Sequence, residues 1–333
     1  MSERPVLYLI IPCFNEEEVL PLTAPAFSRE LIRLAGEGKI SGESRVFFVD
    51  DGSEDGTWDI ICSLSKELAN IRGIRESRNM GHQNALLAGL MEAKGLCDIT
   101  ITTDCDGQNE LGAIERMVDA YSEGNEIVYG VRKDRKSDGF FKRHTAQIFY
   151  KLTILMGIDM IYNHADYRLV SSRVLDEFED FREVNVFLRG MFPLVGFRST
   201  TVEYEMGERA AGRTHYSPQK MLHFAIDGVT SFSIKPVRAF TITGFIVSLG
   251  SFIGIICTII DYFTGGTVSG YASLMCIICF AAGIQLIGTG VIGEYIGKIY
   301  MEVKRRPRYI ISDRTDNFSD RGRSLENRSG KKT

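Results

Sequence analysis

Two aspartates one residue apart, Asp104 and Asp106, are the side chains of this sequence whose spacing points most directly to chemistry. They follow the strand-like run Ile99 to Thr103, and Gln108 lies two residues further on. Because side chains alternate along a strand, an Asp-x-Asp pair at a strand end directs both carboxylates the same way. Mg²⁺ and Mn²⁺ prefer a few carboxylates completed by substrate phosphates. The pattern therefore predicts a divalent-metal site, and a solvated loop after a strand is the alternative.

Four further polar clusters also follow predicted strands. The strands are predicted at 6–11, 45–50, 71–75, 98–103 and 127–131, with helical patterns between them. The clusters are Pro12–Glu18, Asp50–Gly56, Arg78–Asn84 and Arg132–Arg135. Strands that alternate with helices predict an α/β fold with a mainly parallel sheet. Since ligands bind at the carboxyl ends of strands in such sheets, all of these clusters are expected at one edge.

The overall composition is the average of two parts of the chain that differ from each other. The chain has 333 residues, a formal charge of −4 and 44% hydrophobic residues, and its length suggests about two units. Met1 to Pro5 lead directly into a strand without a signal peptide, so the N-terminal part is expected in the cytosol. The seven cysteines do not have the spacing of zinc ligands. A reduced compartment is expected for them. The sequence lacks the glycine-rich motifs of nicotinamide enzymes and standard ATPases.

The C-terminal third has the pattern of membrane-associated sequence. Amphipathic helical patterns occur at about 140–157 and at 219–235, the second expected at a bilayer interface. About 22 uncharged residues separate Arg238 from Asp261, and about 32 separate Asp261 from Glu294. Lysines and arginines outside these runs predict that both termini and the α/β domain are cytoplasmic.

The predicted organisation is thus an α/β domain at 1–218, an interfacial helix at 219–235 and two transmembrane helices within 236–298. The helices are expected at about 239–261 and 270–293, followed by a basic, disordered tail at 299–333. This arrangement predicts an integral protein of a bacterial inner membrane. Small residues on the second helix predict a homo-oligomer formed through these helices, namely Gly283, Gly288, Gly290, Gly293 and Gly297.

Four motifs, in this order along the chain, resemble those of a known enzyme family. They lie at Ile10–Glu16, Val49–Ser53, Arg78–Gln83 and Thr103–Gln108. The set resembles the family 2 glycosyltransferases with the GT-A fold, which is Rossmann-like. More narrowly, the chain resembles the polyprenyl-phosphate glycosyltransferases, a group that contains dolichol-phosphate mannosyltransferase and the bactoprenol glucosyltransferases. The resemblance covers nearly the whole chain, including Asp166-Tyr-Arg-Leu169 and both predicted spans.

The resemblance implies a donor site for a nucleotide-sugar. Three residues would line the nucleotide, with the second against the base: Pro12, Phe14 and Glu16. Asp51 would accept a hydrogen bond from the base imide. Near the sugar the resemblance places Asn79 and Gln83, whereas Arg78 positions the loop and His82 is either a sugar contact or a structural polar residue. Ribose and Mg²⁺ or Mn²⁺ would be held by Asp104 and Asp106, with Gln108 completing the metal environment.

The acceptor implied by the resemblance is the phosphate of a polyprenyl lipid. Arg132 and Arg135, helped by Lys133, would bind it, because guanidinium groups match phosphate bidentately. Arg209 and Arg213 are second candidates, and attraction to anionic lipid headgroups is their alternative role.

The implied reaction is an in-line attack by a phosphate oxygen on the anomeric carbon, which inverts it. A phosphate monoester is already largely dianionic at neutral pH and hardly needs a general base. Asp166 is the base candidate that the resemblance implies, and orientation of the sugar or of the acceptor-binding arginines is its alternative role. The metal would neutralise the departing diphosphate.

The sequence leaves alternatives open for the donor sugar and for the function of the protein. UDP-glucose is the first choice, followed by UDP-N-acetylglucosamine, UDP-galactose or GDP-mannose, and no nucleic-acid partner is expected. Asn109–Gly112 departs from the family's frequent Asp-Pro-Pro-Glu, and His164-Ala-Asp166 replaces the commoner Gly-Asp. A processive polysaccharide synthase is disfavoured because the sole tryptophan, Trp58, lies in an early helix. An inactive glycosyltransferase-like membrane scaffold is the remaining alternative, although the aspartates of the motifs are intact.

Overall fold

The computed structural model describes residues 4–133, 164–184, 186–207 and 270–315, and scattered residues between 237 and 260. The chain divides into two compact units. The first comprises residues 1–151, 159–216 and 307–333, and the second comprises 152–158 and 217–306. The amphipathic helices predicted at 140–157 and 219–235 lie outside the described residues.

The first unit is built on a mixed sheet that has eight strands within the described residues. In chain order the strands are β1 (Leu7–Cys13), β2 (Arg45–Asp50), β3 (Ile71–Glu76), β4 (Ile99–Thr102), β5 (Ile127–Arg132), β6 (His164–Ser171), β7 (Ser199–Tyr204) and β8 (Ile311–Arg314). Their order across the sheet is β7-β5-β6-β4-β1-β2-β3-β8.

Helices of the first unit follow the strands and cover the sheet. They are α1 (Leu20–Gly36), α2 (Thr57–Glu67), α3 (His82–Ala93), α4 (Gly112–Ser122), α5 (Ser172–Phe178) and α6 (Leu188–Met191), with a 3₁₀ helix at Phe192–Val195. Helix α3 lies unusually close to β1 and β2. A Cβ atom on Gly89 would stand 2.4 Å from Ile10 Cγ2 and 2.8 Å from Val49 Cγ2. This close contact fixes the height of the N-terminus of α3 above the sheet.

The α/β fold, the five predicted strands and the mainly parallel character of the sheet are confirmed, since six of the eight described strands run in one direction and β6 and β8 oppose it. Strands β1 to β4 pair in parallel through β1 and β2, as predicted. Strand β6 runs antiparallel to both β4 and β5. The apolar pattern of a strand shows that it is buried and carries no information on its direction. The Asp166 motif therefore lies on a strand inserted between β4 and β5.

The region predicted as a basic, disordered tail contains a strand. Ile311–Arg314 forms β8 and pairs antiparallel with β3 at the edge of the sheet. Three of its four residues are exposed, so an edge strand held by backbone hydrogen bonds leaves no apolar pattern in the sequence. Residues 316–333 of the predicted tail lie outside the described part of the chain.

The second unit contains helix α7 (Tyr271–Lys304). Among the described residues, no helix is at once long enough and apolar enough to cross a bilayer. For that part of the chain, the predicted pair of transmembrane helices is wrong, and so is the predicted two-span inner-membrane localisation. The prediction counted residues without charge, and such a count also admits Gln285, Thr289 and several glycines. Homo-oligomer formation through these helices stays a prediction without that support.

Candidate active site

The loops after β1 and β2 are joined to each other at the carboxyl edge of the sheet. The Asn15 N–H donates to Ser53 Oγ at 2.9 Å, and the Glu16 N–H donates to Thr57 Oγ1 at 2.8 Å. Asn15 has a φ of +55°, which is a left-handed backbone conformation. It does not cap a helix, because α1 begins only at Leu20. Phe14 directly precedes these two anchored residues. It is 42% exposed, which leaves its ring accessible to a ligand. Pro12, by contrast, is buried within β1.

Asp51 holds the loop Arg78–Gln83 against the end of β2. Its carboxylate accepts the Met80 N–H at 2.6 Å and the Gly81 N–H at 3.1 Å, and the residue is only 3% exposed. Desolvation raises the pKa of Asp51, although these two backbone hydrogen bonds oppose the increase. In this structure, Asp51 thus organises the loop on which Asn79 is exposed.

The turn at Gly52 brings the same loop into close backbone contact. Gly52 has a φ of +64°, and a Cβ atom there would stand 2.4 Å from the backbone carbon of Arg78. Only glycine satisfies both the left-handed conformation and this approach. The loop after β3 is therefore packed directly onto the turn after β2.

Asp166 is the centre of a polar cluster near the start of β6. Its Oδ2 accepts hydrogen bonds from Arg189 Nη2 at 2.8 Å and Gln83 Nε2 at 3.2 Å. Its Oδ1 accepts from Arg189 Nε at 3.2 Å and from Arg168 Nη2. Desolvation alone would raise the pKa of Asp166, but Arg189, His82 and Arg168 hold it well below its usual range. The carboxylate therefore stays ionised at neutral pH.

Gln83 extends the cluster to helix α6. While Gln83 Nε2 donates to Asp166, Gln83 Oε1 accepts the Leu188 N–H at 3.1 Å. Arg189, the next residue, returns to Asp166. The start of α3, the start of β6 and the start of α6 are thereby linked by one amide and one carboxylate. Gln83 is predicted near the sugar, and the structure places its amide in this network.

His82 lies between two carboxylates. Its Nε2 is 3.6 Å from Asp166 Oδ2 and 3.9 Å from Asp104 Oδ1. Although desolvation opposes protonation, the hydrogen bond and charge of Asp166, with the charge of Asp104, raise the pKa of His82. His82 therefore connects the Asp104 loop with the Asp166 cluster, which supports a role in the site over a purely structural one.

Asp104 and Asp106 form a donor set that suits a hard divalent cation. Loss of solvation and the charges of Asp166 and Asp106 raise the pKa of Asp104, whereas His82 opposes the increase. A nearby cation would relieve this repulsion. Among the described residues, no group of three or more His, Cys, Asp or Glu side chains is placed to enclose a metal. The arrangement fits Mg²⁺ or Mn²⁺, whose coordination a substrate diphosphate would complete, rather than a closed protein site.

Gln108 ties the Asp104–Gln108 loop to the segment after β7. Its side-chain Nε2 donates to the Gly207 carbonyl at 3.4 Å, and its own carbonyl accepts the Gly207 N–H at 2.8 Å. Asn109 also forms a β-bridge with Met206. This loop departs from the family's frequent sequence at Asn109. It is held in place by the segment that follows β7.

Two of the five predicted acceptor-binding cations lie within the described residues. Arg132 is half-buried at the end of β5, and its Nε atom is buried without a hydrogen-bond acceptor in the described part of the chain. Lys133 is exposed, and its Nζ lies 3.8 Å from Glu205 Oε1. Arg135, Arg209 and Arg213 lie outside the described residues, so their predicted role is untested.

Arg189 is the member of the site that the sequence analysis did not identify. It combines a bidentate contact to Asp166 with a side chain that is 37% exposed. A signal was present, because Arg189 is the sole charged residue in the apolar run Val186–Val195. A lone charge within such a run generally has a partner or a ligand.

Comparison with known proteins identifies the family. Residues 8–179 match the family described as Glycosyl transferase family 2. The chain is 48% identical over 310 residues to "Uncharacterized glycosyltransferase YkoT" of Bacillus subtilis (strain 168), covering 93% of this chain and 92% of the relative. It is 39% identical over 305 residues to "SfII prophage-derived bactoprenol glucosyl transferase" of Shigella flexneri, covering 91% and 96%. "Prophage bactoprenol glucosyl transferase homolog" of Escherichia coli (strain K12) is also 39% identical, covering 91% and 97%.

The matched residues contain all but the first residue of β1, strands β2 to β6, the loops that carry Asp51 and Asp104, and Asp166 on β6. The sequence motifs had indicated the same family independently of the fold. This chain therefore belongs to glycosyl transferase family 2.

Proposed function

We propose that this protein transfers a sugar from a nucleotide-sugar to the phosphate of a polyprenyl lipid such as undecaprenyl or dolichyl phosphate. The product would be a polyprenyl-phosphate sugar for cell-envelope glycan or lipid modification. Relatives that are 39% identical over nearly their whole length and are named bactoprenol glucosyl transferases support this acceptor. UDP-glucose is the first-choice donor for the same reason, ahead of UDP-N-acetylglucosamine, UDP-galactose and GDP-mannose.

The observation that carries the proposal is the approach of Asp104 and Asp166 to the same imidazole, that of His82. Asp104 belongs to the loop suited to a metal and diphosphate, and Asp166 orients Arg189 and Gln83. Sugar transfer requires a site that is divided in this way. One side holds the diphosphate leaving group, and the other holds the sugar or the phosphate nucleophile. Phe14, exposed beside the β1 and β2 loops, is available to contact the base.

In the proposed mechanism, the residues of this chain bind and orient two anionic substrates. A divalent cation held by Asp104, Asp106 and Gln108 would neutralise charge on the departing diphosphate. Arg132 and Lys133 would attract the acceptor phosphate, whose oxygen attacks the anomeric carbon as the bond to the diphosphate breaks. Asp166 would not remove a proton, because the attacking phosphate is already ionised and Asp166 is engaged by two arginines.

The proposal is tested by measuring sugar transfer from radiolabelled UDP- and GDP-sugars to undecaprenyl phosphate in detergent. Wild type and Asp106→Asn are compared with Mg²⁺, with Mn²⁺ and with a chelator. We expect one donor, UDP-glucose, to give a metal-dependent glycolipid that Asp106→Asn loses by about 10²-fold or more. Asp119→Asn, an exposed aspartate on α4, is the matched control and should retain activity. Binding of nucleotide without transfer from any donor would favour the inactive scaffold instead.

A further inference from the structure

Glu76 is a buried acidic residue for which the proposed reaction has no use. It is the last residue of β3 and is 1% exposed. Neither of its carboxyl oxygens has an N–H or O–H donor within hydrogen-bond distance in the described part of the chain. Burial of an ionised carboxylate without donors is strongly unfavourable, so the charge state of this group needs an explanation.

Asp50 is the register partner of Arg75 in the parallel β2–β3 pair, so the next residues, Asp51 and Glu76, are neighbours and their carboxyl groups come within hydrogen-bond reach. Ionised carboxylates only accept hydrogen bonds, so this contact requires a proton on one of the two. Asp51 already accepts the Met80 and Gly81 backbone N–H groups, which stabilise its ionised form. Glu76 has no such donors, and the shared proton therefore belongs to Glu76.

The other charged groups around the pair favour the same assignment. Asp50, at the end of β2, adds a further negative charge, which is paired with Arg75 Nε at 3.2 Å. Tyr309, which precedes β8, lies within electrostatic range of Glu76, and His82 lies within electrostatic range of Asp51. Burial first, and then Asp51, raises the pKa of Glu76 to about 9.

We propose that Glu76 is a positioning residue that, as an un-ionised acid, donates a hydrogen bond to Asp51 and so fixes the Arg78–Gln83 loop for nucleotide-sugar binding. The inference rests on the proposed function, because that loop carries Asn79, His82 and Gln83. It adds a residue of the described donor site that acts through Asp51 rather than by touching substrate. Ionisation of Glu76 would place two negative charges in contact and release the loop.

Three variants of the full chain test the proposal. Glu76→Gln keeps a hydrogen-bond donor and has no charge at any pH, whereas Glu76→Leu removes the donor. Glu123→Gln changes an exposed glutamate just after α4 and controls for loss of a charge. We expect the UDP affinity of the wild type to fall relative to that of Glu76→Gln above about pH 9, because ionisation of the base itself affects both proteins and cancels in this ratio. We expect Glu76→Leu to bind UDP about tenfold more weakly at neutral pH.

Two measurements are independent of nucleotide binding. Infrared difference spectra of the wild type at neutral pH should contain the carbonyl stretch of an un-ionised carboxylic acid that Glu76→Gln lacks. Hydrogen exchange at the Met80 and Gly81 amides should be faster in Glu76→Leu than in the wild type, Glu76→Gln or Glu123→Gln. If the wild type binds no nucleotide, the proposed function fails while these two measurements still decide the charge and effect of Glu76.

The proposal is overturned if the infrared band is absent at neutral pH. It is also overturned if Glu76→Leu leaves the exchange of both amides and UDP binding unchanged. Weaker UDP binding by both Glu76→Gln and Glu76→Leu, without a change in pH dependence, would assign Glu76 a packing role instead.

Discussion

The carboxylate of Asp166 is engaged by Arg168 and Arg189, and this pairing decides what the residue can do. Arg168 is fully buried, and Arg189 reaches Asp166 from helix α6. A general base works best when its pKa lies near the working pH, whereas the pKa of Asp166 is held well below its usual range. Of the two roles that the family resemblance left open, orientation of neighbouring groups is the one that this geometry supports.

Asp166→Asn should therefore cost more stability than an ordinary surface substitution. The change leaves the buried Arg168 guanidinium without its carboxylate, and we expect a loss of about 3 kcal/mol in the free energy of unfolding. The lowered pKa of Asp166 stabilises the fold above its ordinary value of 3.8 and stops doing so as the pH falls further. The difference between wild type and variant should consequently shrink in acid. Urea denaturation at pH 7 and at pH 3 measures both effects.

Asp176→Asn provides the comparison for this prediction. Asp176 also lies close to a cation, with its Oδ1 3.6 Å from Lys94 Nζ, but its side chain is 61% exposed. Exposed ion pairs contribute little, so this variant should unfold close to the wild type. Equal stability of Asp166→Asn and Asp176→Asn at neutral pH would show that the buried pairing has been overestimated.

Among the elements, the loop Arg78–Gln83 joins the proposed donor site to the Asp166 cluster. Asp51 holds its middle, and Gln83 at its end donates to Asp166. Its position depends on the turn at Gly52, which it touches through backbone atoms. A displacement of this loop would therefore disturb both halves of the site.

Gly52→Ala tests this dependence directly. The added Cβ would meet the Arg78 backbone at 2.4 Å, and the left-handed conformation adds strain of about 1 kcal/mol or more. We expect a lower thermal midpoint, faster hydrogen exchange at Met80 and Gly81, and about tenfold weaker UDP binding. Calorimetry, exchange and a binding titration measure the three effects.

The control for Gly52→Ala is Gly36→Ala at the end of α1. A Cβ there has no atom within 4 Å, and alanine favours the helix, so stability should be equal or slightly higher. Retention of UDP affinity by Gly52→Ala would contradict the coupling of the turn to the loop.

The sequence predicted those elements whose apolar pattern reports burial. Strands β1, β2 and β4 are buried along nearly their whole length, and their polar ends mark the edge where Asp51 and Asp104 lie. Strand β6 was not among the predicted strands, and its antiparallel direction depends on pairing with distant segments of the chain. Strand β8 could not be predicted either, since its contacts are made by the backbone.

The same distinction applies within the candidate site. The sequence motifs pointed to Asp104, Asp106 and Asp166, and the fold brings Asp104 and Asp166 close to His82. The pairing of Arg189 with Asp166 arises between residues 23 positions apart on different elements. The contact of Glu76 with Asp51 likewise depends on the alignment of β2 with β3. No local pattern encodes either contact.

For the whole molecule, Glu76 predicts an unusual dependence of stability on pH. Below its ordinary pKa of 4.5, Glu76 is protonated in both the folded and the unfolded chain. Between 4.5 and about 9, the unfolded chain loses this proton while the folded chain retains it. Since the folded state then binds more protons, its stability falls as the pH rises, by up to about 1.4 kcal/mol per pH unit from this group.

The stability of Glu76→Gln relative to the wild type should therefore rise between pH 5 and pH 8. Urea denaturation at several pH values gives this difference, in which the contributions of other titrating groups cancel to first order. Glu123→Gln should show no such trend. A difference that is independent of pH would mean that Glu76 is ionised in the folded protein.

Strand β8 pairs with β3 at the edge of the sheet next to Asp51 and Glu76. We expect β8 and the residues beside it to stabilise this edge. The Ser77 N–H donates to the Ile310 carbonyl at 2.8 Å, and the Gly73 N–H donates to Thr315 Oγ1 at 3.1 Å. Thr315 returns its own N–H to the Gly73 carbonyl at 3.0 Å. On the neighbouring helix α3, Glu92 pairs with Arg314 at 2.6 Å.

Deletion of residues 310–333 would remove these contacts and leave β3 as an unpaired edge. With about 1 kcal/mol for each lost hydrogen bond, we expect the free energy of unfolding to fall by about 3 kcal/mol. We also expect aggregation, because an exposed edge strand pairs with other chains. Deletion of 317–333 removes none of the contacts described and is the matched control. Denaturation and size-exclusion chromatography compare the two, and equal behaviour of both truncated chains would show that β8 contributes nothing to the edge it covers.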